Sequence, residues 1–277
     1  MIKLDQIVGM NQHYKYFSLD YFLDKQQEIG FKSIEFWCGA PHFWVDWKKY
    51  SDCRALAAKV ALHGLQVVSI TVPGFANQYQ CAPLSNRYHA ERSLSYFMNG
   101  VHIASELGCG IMTVCSGYGY LNDEKEELFK RSCWLLQRLC EEASRYGVVI
   151  AMESLKADES NIAIDLRSTK KLFDMVGHPA LKIMVDTIAM SAANEKLEDW
   201  FHVFGKNIVH MHFLDGKPDN HNIWGDGCHP LEQELTVLQQ NKYTGYLVQE
   251  VVADQYFEDP ATADYRNMQV LKRFIGD

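Results

Sequence analysis

The chain has 277 residues, of which 47% are hydrophobic and 22% charged, with a formal net charge of −8. That supports a sizeable core at a length common for α/β barrels, and the acidic balance offers no basic field to nucleic acid or an anionic membrane. No apolar run reaches the length of a membrane span, the start MIKLDQIVGM lacks the apolar stretch of a secretory signal, and the eight cysteines form no CxxC pair, so a reduced, cytoplasmic protein is expected.

No linker or low-complexity tract divides the sequence, and residues 1–277 read as one catalytic domain. A single unit recurs along it: a short β-rich apolar run, a polar loop, then an amphipathic helix. The runs fall at residues 7–10, 33–37, 66–72, 111–115, 148–153, 181–186, 208–214 and 246–252. Between them, Leu94, Phe97, Val101 and Ala104 repeat at helical spacing, as do Leu128, Ser132, Leu135 and Leu139. Gly30, Gly64, Gly108 and Gly147 stand where a helix should stop before the next strand. Eight such units predict a closed (β/α)₈ barrel. An open doubly wound sheet would need a glycine-rich phosphate loop after the first strand, and GMNQHYKY is not one.

Barrel enzymes work at the C-terminal ends of their strands. The fifth run, VVIAMES, ends in Glu153; the sixth, LKIMVDT, in Asp186; the seventh carries His212 and the eighth Glu250. Singly, each has an ordinary structural reading: a solvated loop carboxylate, a turn cap, an ion-pair member or a core histidine. Together they sit at matching heights on four neighbouring strands. Three carboxylates in so apolar a setting call for a cation, so the four are expected to form a mononuclear divalent-metal site. Hard oxygens plus one nitrogen suit Mn²⁺ foremost, with Co²⁺, Mg²⁺, Ni²⁺ and Zn²⁺ as the other candidates. Such a cation would acidify the carbon-bound proton of a hydroxyketone, and two flanking carboxylates would serve as base and acid. Opposite faces would give epimerisation, and one base shuttling between carbons would give isomerisation.

In IVHMHFLDG, His210 and His212 share one strand face, about 6–7 Å apart. His212, nearer the mouth, is the expected ligand. His210, one layer deeper, is expected to be a hydrogen-bonded core residue.

The segments GFKSIEFWCGAPHF (residues 30–43), ESLKADESN (153–161), MVDTIA (184–189) and HMHFLDGKPDNHNIWGDG (210–227) resemble the sugar-phosphate isomerase/epimerase superfamily of xylose isomerase-like barrels, and the likeness runs end to end. Within it the chain is similar to the ketose 3-epimerases, the fructoselysine 3-epimerases among them. The resemblance implies the same four ligands, with Glu153 and Glu250 as the acid/base pair for proton abstraction and return at carbon 3 through an enediolate. It implies a sugar contact at Glu159 and a small-molecule sugar or sugar-amine substrate; a homo-oligomer is also expected. Free-sugar 3-epimerases carry a His three residues after the second ligand and an Arg six after the metal His. Here those positions are Ala189 and Pro218, which favours a ketose derivative such as fructoselysine over free psicose or tagatose.

Endonuclease IV, a DNA-repair relative, shares the DxH pattern found here as Asp219-Asn220-His221, but its other metal histidines have no match. Asp219 and His221 are therefore expected to contact substrate or to close a turn. An aromatic rim of Trp37, Phe43 and Trp224, with His42 beside it, is expected to stack on the sugar or seal the site.

Overall fold

Short apolar runs bounded by glycine and polar turns leave the chain no way to bury a strand alone, and here they close on one another. In the computed structural model, which describes residues 2–74, 87–217 and 219–275, strands and helices alternate. The first half comprises β1 (Ile7–Met10), α1 (Leu19–Ile29), β2 (Ser33–Trp37), α2 (Cys53–Leu62), β3 (Gln66–Thr71), α3 (Arg87–Leu107), β4 (Ile111–Cys115) and α4 (Lys125–Tyr146). The second comprises β5 (Val149–Glu153), α5 (Leu166–Val176), β6 (Leu181–Asp186), a short α6 (Thr187–Ala192), α7 (Leu197–Phe204), β7 (Ile208–His212), α8 (Leu231–Gln240), β8 (Tyr246–Val248) and α9 (Pro260–Ile275). Each strand pairs in parallel with the next, and β8 pairs with β1 to close a (β/α)₈ TIM barrel. Among the described residues no helix is long and apolar enough to cross a membrane, and seven cysteines are free thiols.

Local chemistry sets the element ends. Ser18 Oγ accepts from Tyr21 N to start α1, and Asp165 accepts from Ser168 N to start α5. Gly30, Gly64, Gly108 and Gly147 all have positive φ, as their expected stop positions require. The helical repeats bury as spaced: Leu128, Ser132, Leu135 and Leu139 face the core from α4. Each buried leucine there contributes roughly 1.5–3 kcal/mol before the entropy cost of ordering it.

The apolar runs overstate three strand ends. β3 stops at Thr71, β7 at His212 and β8 at Val248, so Glu250 lies in the loop beyond β8 and not on the strand itself. β5 in turn begins one residue late, at Val149. Val72 past β3 packs in the main core, and for β7 and β8 the cause is a second apolar cluster, where Leu214 and Val251 pack with Ile188, Ile223, Tyr256 and Ala263. Hydrophobic residues past the sheet serve these clusters, and their pattern does not mark where strand pairing ends.

A buried polar network ties the C-terminal helix to the barrel. Asp264 on α9 accepts from His13 Nε2 (2.8 Å), Tyr14 OH (2.8 Å), Gln26 Nε2 (2.6 Å) and Gln249 Nε2 (2.7 Å). Position 9 must be glycine for this, because a Cβ there would fall 1.7 Å from Gln26 Oε1.

Candidate metal and active site

Glu153, Asp186 and His212 are the last residues of β5, β6 and β7, and Asp186 stands directly opposite His212 in register. Glu250 joins them from just past β8. One donor atom from each of the four lies within 4.8 Å of the others. His212 Nδ1 is 3.1 Å from Glu153 Oε1 and 2.9 Å from Glu250 Oε2. Nevertheless this nitrogen is buried and makes no hydrogen bond of proper geometry. The ring nitrogen and both carboxylates therefore crowd one small space without a hydrogen bond between them. Asp186 uses Oδ1 to accept from Ile188 N at 2.6 Å, capping α6, and thereby turns Oδ2 toward the cluster. There His221 Nε2 donates to it at 3.1 Å and stands 3.5 Å from Glu250 Oε2.

The other nitrogen of His212 is fully engaged. Its Nε2 donates to Glu35 Oε1 at 2.9 Å, while His210 Nε2 donates to Glu35 Oε2 at 2.5 Å. The two imidazole centroids are 6.3 Å apart, so the pair has the face-sharing, two-depth arrangement expected of it. His210 is wholly buried.

Crowding shifts the acids apart. Burial, reinforced by Glu250 and Asp186 and opposed by His212, pushes the Glu153 carboxyl up to about 8. For Asp186 burial acts upward too, but His221 and then His212 outweigh it and hold the carboxylate below its usual range. His221 meets an opposing burial penalty, yet Asp186 and Glu250 raise it to about 9. Three crowded carboxylates, Asp186 buried and Glu153 and Glu250 half-buried, around a buried nitrogen lacking a hydrogen-bond partner, are a donor set that fits a divalent cation.

Above the four residues opens a cavity of about 380 Å³. Thr71 and Cys115 from strand ends and Thr113 from mid-β4 contribute to its wall, with Trp37, Leu155, Lys156, Glu159, Asp219 and His221. Gly39 lets the Trp37 indole lie against the backbone, since a Cβ there would fall about 2.0 Å from the ring.

Compared with known proteins, residues 23–274 match the family described as xylose isomerase-like TIM barrel. The chain belongs to this family. A fructoselysine 3-epimerase of Shigella flexneri is 26% identical to it over 250 residues, spanning 89% of this chain and 88% of that one. A D-psicose 3-epimerase from Clostridium cellulolyticum H10, solved with D-tagatose, superposes with a TM-score of 0.77 at 16% identity, covering 97% and 98% of the two chains. The E. coli 3-keto-D-glucoside 4-epimerase gives 0.79 at 17% identity, covering 97% and 99%.

Of the residues singled out in this barrel, Glu153, Asp186 and Glu250 line the cavity above His212, and Glu159, Asp219, His221 and Trp37 line it as well. The remaining rim does not form. Phe43 is buried against Phe36, with ring centroids 5.8 Å apart. Trp224 is buried on Phe213 and donates Nε1 to that residue's carbonyl at 3.1 Å. His42 is turned from the cavity too, held between Asn11 Nδ2 and the Phe17 carbonyl. Phe43 and Trp224 thus find a packed place in the wall, and the half-buried His42 is tied down by its two hydrogen bonds. Pro218 lies outside the described residues. Sequence reasoning passed over Lys156, Cys115 and above all Glu35. The signal for Glu35 was a carboxylate inside the apolar run SIEFW, the same signal that drew attention to Glu250.

Proposed function

We propose that the protein is a divalent-metal-dependent ketose 3-epimerase whose substrate is a ketose bearing an amine-linked substituent, of the fructoselysine kind. The observation that carries this is the buried His212 Nδ1, lacking a hydrogen-bond partner and flanked by two carboxylates at 2.9 and 3.1 Å beneath a sugar-sized cavity. Three carboxylates and one imidazole are hard oxygen donors plus one nitrogen, which suits Mn²⁺ or Mg²⁺ better than a thiolate-type zinc site. Glu153, Asp186, His212 and Glu250 would hold the ion. When bound, it supplies Lewis acidity to the ketose carbonyl and steadies the negative charge of an enediolate.

The rest falls to the protein's own groups. Glu153 and Glu250 stand on either side of His212, and a ketose between them presents the two faces of carbon 3 to different carboxylates. One removes the proton and the other returns one to the opposite face. Trp37 and Leu155 offer apolar surface that limits water, and Glu159 offers a hydroxyl acceptor. The substituent has room of its own. A second cavity of about 380 Å³, sharing Lys156 and Asp219 with the first, is floored by Ala189, Ala192 and Ala193 and edged by Asp158 and Asp165. Alanines suit an aliphatic chain, the acids an ammonium group and Lys156 a carboxylate. The 26% identity to a fructoselysine 3-epimerase over most of both chains supports the same reading.

The test is turnover with Mn²⁺ of fructoselysine, free psicose and free tagatose in D₂O. The expected result is a carbon-3 epimer of fructoselysine with deuterium at carbon 3. Comparable kcat/KM for free psicose would overturn the substituent preference. Inversion at carbon 4, or full retention of the original hydrogen, would overturn the mechanism.

A further inference from the structure

Glu35 lies mid-strand in β2 and is fully buried. Both of its oxygens are saturated. Oε1 accepts from His212 Nε2 at 2.9 Å and Thr71 Oγ1 at 2.7 Å; Oε2 accepts from His210 Nε2 at 2.5 Å and Ser69 Oγ at 2.6 Å. Two bonds on each oxygen are what an ionised carboxylate can accept. Glu35, His210 and His212 also gather donor atoms of a kind that could hold a cation, but these atoms are engaged with one another: both imidazole Nε2 atoms donate to the carboxylate, at 2.5 and 2.9 Å.

We infer that Glu35 is the positioning residue of the cation site, resting on the cation reading proposed above. It keeps a proton on His212 Nε2, so that Nδ1, the atom facing Glu153 and Glu250, is the one that offers a lone pair. The opposite neutral tautomer would set the lone pair of Nε2 against a carboxylate oxygen at 2.9 Å in a buried place, with no hydrogen between them. His210, Ser69 and Thr71 complete the arrangement by stopping the carboxylate from rotating away. Glu35 thus acts on the ion through His212, without touching ion or substrate.

The experiment is calorimetric titration of Mn²⁺ into the wild type, Glu35→Gln, His212→Gln and the double variant. Glutamine keeps the shape but has one oxygen and no charge. Glu35→Gln should weaken Mn²⁺ about 10–100-fold in the wild-type background. It should add less than about 3-fold once His212 is already glutamine, because residues acting through one another are not additive. Unchanged affinity in a folded Glu35→Gln overturns the inference, and so does an equal loss in both backgrounds, which would signal general loosening. If Glu35→Gln does not fold, the Mg²⁺-loaded wild type decides: long-range ¹H–¹⁵N spectra should place the His212 proton on Nε2, and a proton on Nδ1 overturns the assignment. A wild type that binds no divalent cation overturns both this role and the proposed function. It is distinguished from failure of the inference alone, in which wild type and Glu35→Gln bind equally.

Discussion

Asp264 holds Gln249 from across the wall of the barrel, its Oδ1 accepting from Gln249 Nε2 at 2.7 Å. Gln249 in turn accepts from Asn267 Nδ2 at 2.8 Å, so α9 grips the residue that immediately precedes Glu250. Asp264→Ala leaves four buried donors without their acceptor, each costing about 1–3 kcal/mol before rearrangement. Urea unfolding should show a loss of at least about 3 kcal/mol. A loss under about 1 kcal/mol would mean that the network is replaceable by water.

Glu153→Gln and Glu250→Gln should each lower kcat by about 10²–10⁴-fold, the usual worth of a general acid or base. Sugar affinity should change far less. Mn²⁺ occupancy has to be measured alongside, since both residues are also proposed ligands. A variant that keeps its ion and more than a tenth of kcat removes that residue from the proton transfer.

The two histidines should separate cleanly. After dialysis, metal analysis should find about one equivalent per chain in the wild type, none in His212→Ala, and retention in His210→Ala. Equal loss in both would reverse the assignment of depth.

Cation binding should strengthen with pH. Glu153 holds a proton up to about 8 in the cation-free protein, and the ion needs the carboxylate, so binding displaces that proton. Calorimetry in buffers of different ionisation heat should register proton release at pH 7 that fades above pH 8. The sign for stability is opposite. A folded-state pKa raised from 4.5 to about 8 means the native protein binds more protons than the unfolded chain in that window. This group's contribution to stability therefore falls as pH rises from 4.5 to about 8, and saturating Mn²⁺ should offset the fall.

Ala189→His should narrow the second cavity, which Ala189 helps to floor. The expected outcome is a drop in kcat/KM of about 10-fold or more for fructoselysine with a smaller change for free psicose; packing an imidazole there costs roughly 1–3 kcal/mol. Equal losses for both sugars would place the substituent elsewhere.

The eight strands, their parallel order and the convergence of Glu153, Asp186, His212 and Glu250 were legible because barrel topology puts each βα junction on one face and apolar periodicity marks each strand. Legibility failed where one signal has two causes. Val251 is apolar because it joins the second apolar cluster, and this hid the early end of β8. Phe43 and Trp224 look like rim aromatics in a linear sequence, but only packing shows that they turn into the wall. Glu35 was hidden differently. Its partners His210 and His212 are 175 and 177 positions away, on a strand that is not its neighbour in the barrel, and no local pattern encodes a contact across the interior.

That contact also dictates when the site can exist. β2 meets β7 only through the barrel's centre, and Glu250 arrives with β8, whose pairing to β1 closes the ring. A partly folded chain, or one still emerging with its last two strands unmade, holds Glu153 and Asp186 without the imidazole and third carboxylate that complete the grip. The ion therefore recognises the finished barrel. It should leave the refolding rate nearly unchanged and lengthen the lifetime of the folded state, because interactions absent from the folding transition state show up in the unfolding rate.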